Sequence, residues 1–338
     1  MTAGGLMTPS DSTSADHPRD SNGAVRQERP DSRDLGTAVT VSGLRKTYAG
    51  TPAVDGLSFD IQSGEIFALL GPNGAGKTTT LEILEGYRQR DSGEVNVLGF
   101  DPRNQSDQIK PLIGVMLQNG GIYPSVTTFE LLDLLRHFYP DAREPADLLD
   151  LVGLTDSAGT RYNQLSGGQQ RRLALAAAII GKPRLLFLDE PTSAMDPQAR
   201  RVTWELIEAQ RRLGTTIVLT THFMEEAERL ADRVAIIDHG RLLALEKPAT
   251  LRRNGGSTVR FVGPAGIDPV ELASLPSADT ARITDPGSYV VETGDPIALL
   301  DELTTWARSR GILLENLHAG NETLEDVFLR LTGHQIRE

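Results

Sequence analysis

Hydrophobic residues recur in three different ways along this chain, and each recurrence predicts a different element. Continuous apolar runs over residues 66–70, 185–188 and 217–219 have the length of strands buried on both faces. The last two runs flank a helical stretch from Gln198 to Leu213, which is βαβ order and predicts a parallel sheet. Alternation of apolar with polar residues at Val39 and Val41, at Leu57, Phe59 and Ile61, and at Val95 and Val97 predicts half-buried antiparallel strands forming a layer beside that sheet. Between Thr127 and about Pro183 the spacing turns helical, with Leu131, Leu132, Leu134 and Leu135 followed by Leu148, Leu149 and Leu151. This stretch reads as a helical insert.

Residues 234–237 and 242–245, joined through Asp238, His239 and Gly240, read as a hairpin that closes the large domain. Beyond Pro248 the pattern restarts, with strands expected over 257–262, 288–292 and 312–317 and helices over 296–309 and 324–331. That set fits a small α+β domain. Its terminal stripe of Leu324, Val327, Phe328 and Leu331 either covers the small domain or offers a self-complementary surface to a second copy. Residues 1–36 mix Ser, Asp, Arg, Gly and Pro with almost no large apolar side chains and are expected to form a disordered tail. The expected domains are therefore 1–36, 37–246 with a helical part at about 120–183, and 247–338. No internal repeat is found.

The run at 66–70 leads into Gly71, Pro72, Asn73, Gly74, Ala75, Gly76, Lys77 and Thr78, which fill the phosphate-loop pattern G-x-x-x-x-G-K-[ST] at every fixed position. A helix follows, with Leu81, Ile83 and Leu84 at helical spacing after Thr79. Small residues at that place let successive backbone N–H groups turn toward a polyphosphate at a helix N-terminus. Lys77 can reach the β- and γ-phosphates, and the Thr78 hydroxyl can take one position on an octahedral Mg²⁺. The loop by itself implies a nucleotide and no more.

Two further stretches refine this. The strand at 185–188 delivers Asp189 and Glu190 at its C-terminal end, where α/β sheets hold their ligands. Asp189 is placed to organise Mg²⁺ and its water, and Glu190 to orient or deprotonate a water attacking the γ-phosphate. Ser166, Gly167, Gly168 and Gln169 open a long Ala/Leu helix and form a second anion-binding N-terminus. One nucleotide does not need two such cradles from the same molecule, so a second molecule is expected to supply one of them.

These motifs, in this order, make the chain resemble an ATP-binding cassette (ABC) ATPase from about Thr40 to Leu245. Residues 71–78 resemble the Walker A loop, Gln118 the Q-loop, residues 165–169 the LSGGQ signature, residues 185–190 Walker B, residues 193–196 the D-loop and His222 the H-loop. Met195 stands where the D-loop commonly has leucine, a volume-conserving swap. The resemblance implies a P-loop NTPase core of α/β class with an antiparallel β layer and a helical subdomain, plus the small C-terminal α+β domain. It implies ATP and Mg²⁺ as cofactors, with Thr78, Gln118 and Asp189 holding the metal and Gln118, Glu190 and His222 serving catalysis. ATP is expected on residues 71–79 of one chain and on Ser166, Gly167, Gly168 and Gln169 of another, in a head-to-tail homodimer, with Tyr48 stacking on adenine.

The segment 324–333 resembles the C-terminus of stand-alone ATPase subunits of bacterial multidrug exporters of the daunorubicin-resistance type. The expected function is therefore an ATPase that powers a separate transmembrane permease, with export favoured over import. The permease is expected to dock on residues 119–124 and the first helix of the insert, near Glu130 and Asp133. The rival class is a soluble cassette ATPase acting on ribosomes or DNA. Such forms resemble fused cassettes or carry long coiled coils between Walker A and signature, and this chain has neither.

Composition narrows the field in the same direction. A chain of 338 residues with 39% hydrophobic content is long enough for two cores, and a net charge of -12 argues against a general nucleic-acid binder. Without cysteine there is no disulfide framework, thiolate zinc site or cysteine nucleophile. The N-terminus lacks a charged and then apolar leader, and no apolar segment approaches the ~20 residues needed to span a bilayer. The expected location is the cytoplasmic side of the cell membrane, reached through the permease. The dibasic pairs at Arg171, Arg200, Arg211 and Arg252 read as solvated helix faces.

Overall fold

The computed structural model of the chain describes residues 1, 36–118, 121–193, 195–254 and 257–333. The rest of the expected tail, Asn119 and Gly120 of the expected docking segment and Ala194 of the D-loop stretch lie outside the described residues. In chain order the first part contains β1 (Thr37–Tyr48), β2 (Thr51–Gln62), β3 (Ile66–Leu70), α1 (Lys77–Leu84), β4 (Ser92–Val97), α2 (Ser106–Ile109) and β5 (Ile113–Met116). Then come α3 (Thr128–Arg136), α4 (Pro145–Leu151), α5 (Gly167–Ile179), β6 (Leu185–Asp189), α6 (Pro197–Arg212), β7 (Thr216–Thr221), α7 (Met224–Leu230), β8 (Arg233–Asp238) and β9 (Arg241–Glu246). Six strands form one sheet in the order β5-β6-β7-β3-β8-β9, parallel except for the β8–β9 hairpin. The expected β layer is the antiparallel sheet β2-β1-β4.

The continuous apolar runs belong to strands covered on both faces, and their period of two splits each run between two cores. Ile66, Ala68 and Leu70 of β3 join Leu186, Leu188, Ile217 and Leu219 in one cluster with the helices. Phe67 and Leu69 join Leu185, Phe187 and Val218 in a second cluster against the antiparallel sheet. Strand β5 was not anticipated, because its four residues are too few to show a period. It runs close under α5: a Cβ on Gly114 would lie 2.0 Å from the Ala178 carbonyl oxygen, so only glycine fits that crossing.

The remaining elements are α8 (Pro248–Asn254), β10 (Ser257–Val262), α9 (Pro269–Ala273), β11 (Thr280–Asp285), β12 (Ser288–Thr293), α10 (Pro296–Arg310), β13 (Glu315–Asn321) and α11 (Leu324–Thr332). The four strands form an antiparallel sheet β11-β12-β10-β13 with its own cluster around Phe261, Tyr289, Leu299 and Leu303. Strand β13 lies three residues beyond the expected 312–317 start. Ile312 and Leu314 pack on that cluster before the strand begins, while the strand itself is mostly exposed and is defined by backbone pairing to β10.

The terminal stripe departs from both expectations. Leu324, Val327 and Phe328 of α11 are buried in the large cluster of the first sheet, alongside Ala227 and Leu230 of α7 and Leu251 of α8. They do not cover the second sheet and are not exposed to a partner copy. The Leu324 amide donates to Glu228 Oε1 at 2.9 Å, fixing the start of α11 on α7. At the same end, Asp326 is buried between Arg260 and Arg282 of the second sheet. Helix α11 thus ties the two cores together.

Candidate active site

Strand β3 ends at the centre of the parallel sheet, and the loop 71–76 carries the chain into α1. Gly76 caps α1 with φ 100°, and a Cβ there would lie 2.3 Å from the Ala53 carbonyl oxygen. Both the left-handed backbone and the close approach of β2 require glycine. No side chain caps α1 and its first turn holds no acid, so its leading amides point at an anion position without an internal competitor. Lys77 is buried, and its Nζ donates to the carbonyls of Gly71 at 2.7 Å and Pro72 at 3.1 Å. Burial lowers its pKa, opposed by the charges of Glu190 and Asp189.

Strand β6 brings Asp189 against this loop. Thr78 Oγ1 donates to Asp189 Oδ2 at 3.1 Å, and the Thr220 hydroxyl of neighbouring β7 donates to Oδ1. Glu190 follows with φ 49°, a left-handed backbone that is costly for a side chain of this kind. It is held there by its amide, which donates to Thr220 O at 3.2 Å and Thr220 Oγ1 at 3.1 Å. His222 Nδ1 stands 3.4 Å from Glu190 Oε1. The hydrogen bond from His222 holds the Glu190 carboxyl below the usual range, with further help from Lys77 and the Gln118 amide, against the opposing effect of burial. Lys77, Thr78, Gln118, Asp189, Glu190 and His222 therefore come together from four separate stretches of sequence.

Tyr48 stands at the tip of the β1–β2 hairpin, 39% exposed, with Arg88 5.3 Å and Lys46 5.5 Å from its ring centre. Ser166 caps α5 in a reciprocal arrangement with Gln169, whose amide it accepts at 3.3 Å while its own amide donates to Gln169 Oε1 at 2.9 Å. Among the described residues, Ser166 to Gln169 make no hydrogen bond to the Lys77–Asp189–Glu190 group. They present an exposed helix start of their own.

Several contributors were not assigned to the site or to tertiary contacts from the sequence. Arg171 donates to the Leu117 carbonyl at 3.1 Å and lies near enough to Glu190 and Asp189 to feel their charges, so it is not the solvated arginine expected. Arg200 covers the Phe223 ring at 4.0 Å, Arg211 pairs with Asp232, and Arg252 with Glu228, so these too hold tertiary contacts. Buried Glu226 of α7 accepts from Thr192 Oγ1 at 2.8 Å and Trp204 Nε1 at 2.9 Å, bracing the turn after Glu190. The polar Thr220 at the end of a buried apolar strand was the one visible signal among them.

Beside Thr78 a cavity of about 250 Å³ is lined by Leu81, Glu82, Glu85, Leu117, Gln118 and Asp189. Burial, reinforced by Asp189 and Glu82, pushes the Glu85 carboxyl up to about 8. Folded chain then holds a proton that unfolded chain has lost between the ordinary carboxyl range and about pH 8, so this group makes stability fall as pH rises through that window. The slope is at most ~1.4 kcal/mol per pH unit for one proton. Glu85→Gln is expected to flatten it, measured as urea midpoints at several pH values; equal slopes in both proteins would refute the assignment.

The donors around this cavity, a threonine hydroxyl, an aspartate and an amide carbonyl, are hard oxygen ligands of the kind Mg²⁺ takes. A family model described as ABC transporter matches residues 54–193. The daunorubicin/doxorubicin resistance ATP-binding protein DrrA of Streptomyces peucetius is 37% identical, over 88% of this chain and 93% of its own length. Nod factor export ATP-binding protein I of Rhizobium sp. (strain N33) is 40% identical, over 89% and 99%. Among solved structures, an ATP binding subunit of an ABC transporter superimposes with TM-score 0.60 and 26% identity, over 64% of this chain and 93% of that one. A dimeric ATP-binding cassette in a post-hydrolysis state with ADP and Pi gives 0.57 and 26%, over 62% and 98%. The expected α/β cassette fold is thereby confirmed.

Proposed function

The chain belongs to the ABC transporter family, and from that membership we propose that it hydrolyses ATP at the Lys77–Asp189–Glu190–His222 group to drive export through a separate membrane permease. It is an ATP-binding and ATP-hydrolysing subunit. The observation that carries the site assignment is the meeting of Glu190 with His222 beside Lys77 and Asp189.

Each group has a part that follows from its position. The open amides of α1 and the Lys77 ammonium take the phosphates, and Lys77 exchanges its two loop carbonyls for phosphate oxygens. Glu190, ionised at neutral pH because of its neighbours, accepts a proton from the attacking water or orients it. His222 and Gln118 hold that carboxylate and bound the space around the terminal phosphate. Thr78, Asp189 and Gln118 would hold Mg²⁺, which when bound neutralises phosphate charge.

The exposed start of α5 at Ser166 supports a sandwich in which a second copy closes over each ATP, as does the dimeric cassette among the structural relatives. Export is supported by the names of the two relatives, which speak of drug resistance and Nod factor export. No described helix is long and apolar enough to cross a membrane. A permease is supported by exposed Tyr123, Phe129, Leu134 and Phe138 around α3, an apolar surface beside the segment that follows Gln118. Light scattering of Glu190→Gln tests the sandwich: monomer without nucleotide and dimer with ATP are expected, and a monomer persisting at saturating ATP would overturn it.

A further inference from the structure

Glu85 has no part in the site as described, yet it is one of the most unusual groups beside it. The residue is 3% exposed, and its Oε2 has no hydrogen-bond partner among the described residues. An unpartnered buried carboxyl oxygen is expensive, and native structures satisfy such atoms with ordered water when the space is polar and roomy. Both conditions hold here, since the cavity it lines has about 250 Å³ and shares Thr78, Gln118 and Asp189 as walls. That volume accommodates several waters at ~30 Å³ each.

The helix geometry explains why Glu85, the helical-backbone residue that caps the C-terminus of α1, reaches this place. Thr78, Leu81, Glu82 and Glu85 stand at i, i+3, i+4 and i+7, one face of the helix, and long helical side chains lean back toward the N-terminus. Glu82 on the same face is already engaged by Arg88. Among the described residues no three acidic or histidine side chains are close enough to hold a metal directly. Mg²⁺ binds through one or two carboxylates and keeps several of its waters, so the link from Glu85 to the ion is drawn through water.

We propose that Glu85 is a positioning residue for the metal, holding through the waters of this cavity the hydration shell of a Mg²⁺ ion seated on Thr78, Gln118 and Asp189. The proposal rests on the Mg²⁺ reading of that site. Mg²⁺ keeps several of its waters when bound, and groups that hydrogen-bond to a metal's ligands typically contribute 10–100-fold to its affinity. Glu85 fixes where those waters sit, and so fixes the ion against the helix that carries the phosphate loop.

The test uses the full chain in the Glu190→Gln background, so that no turnover intervenes, with Mn²⁺ as the probe and its binding in the presence of ATP followed by electron paramagnetic resonance. Glu85→Leu is expected to weaken Mn²⁺ binding about tenfold or more, while Glu85→Gln, which keeps hydrogen-bonding atoms in place, stays within about threefold. ATP affinity without metal should be unchanged in both, a pattern that simple loss of packing does not produce. Glu85→Ala, which only enlarges the cavity, gives the same reading if the leucine does not fit. Asp189→Asn separates the two levels: if it weakens Mn²⁺ binding and Glu85→Leu and Glu85→Ala do not, the role of Glu85 is overturned alone. If Asp189→Asn also leaves binding unchanged, the metal reading falls and the proposal with it.

Discussion

Glu190→Gln is expected to bind ATP with unchanged affinity and to turn it over at least ~100-fold more slowly than the parent chain. General-base assistance is commonly worth 10²–10⁴-fold, and the amide keeps the size of the carboxylate while accepting a proton poorly. The backbone at this residue stays in place in the variant, because the strained φ of 49° is enforced by the amide's bonds to Thr220 and not by the side chain. What changes is the charge that His222, Lys77 and Gln118 are arranged to stabilise. Steady-state ATPase rates beside equilibrium nucleotide binding give the answer, and a rate within tenfold of the parent would remove Glu190 from its assigned role.

The second large effect is on stability. Phe328→Ala should destabilise the chain by ~3–5 kcal/mol, the usual cost of removing a buried aromatic side chain. Phe328 is 1% exposed and packs in the same cluster as the parallel sheet, so the loss should lower the unfolding midpoint of the nucleotide-binding core itself. Removing everything from Pro248 onward should be worse, since Leu251, Leu324 and Val327 leave with it. The packing of α11 on α7 and α8 makes this last helix a part of the first core although it lies at the far end of the chain. Urea unfolding followed by intrinsic fluorescence decides it, and a parent-like midpoint in the truncated chain would sink the reading.

Why one part of this was readable and another was not comes down to which interactions leave a periodic trace. The strands β3, β6 and β7 are covered on both faces, so burial forces unbroken apolar runs, and the loops at their ends inherit a defined place. Lys77, Asp189 and Glu190 follow those runs directly, which is why their positions could be reasoned from the residues, whereas Gln118 and His222 entered only through family resemblance. Strand β13 was expected three residues too early, because its pairing is made by backbone hydrogen bonds while its side chains face out and only Ile312 and Leu314 before it are apolar and packed. The helical stripe of α11 was visible, but a stripe states that a face is buried and not what buries it. Arg171 and Glu226 belong to the same difficulty, since their partners lie on other elements and only the fold brings them near.

The docking of α11 on α7 and α8 also constrains how the chain can be made. Translation releases α7 and α8 well before α11, and at roughly 5–20 residues per second the intervening segment delays α11 by seconds. Throughout that interval the nascent chain carries the apolar faces of Ala227, Leu230 and Leu251 without the side chains that cover them. A half-made core of this kind is a substrate for chaperones and a nucleus for aggregation. Yield of native protein should therefore depend on the speed at which ribosomes cross the codons for the second sheet, even though those residues lie outside the nucleotide site.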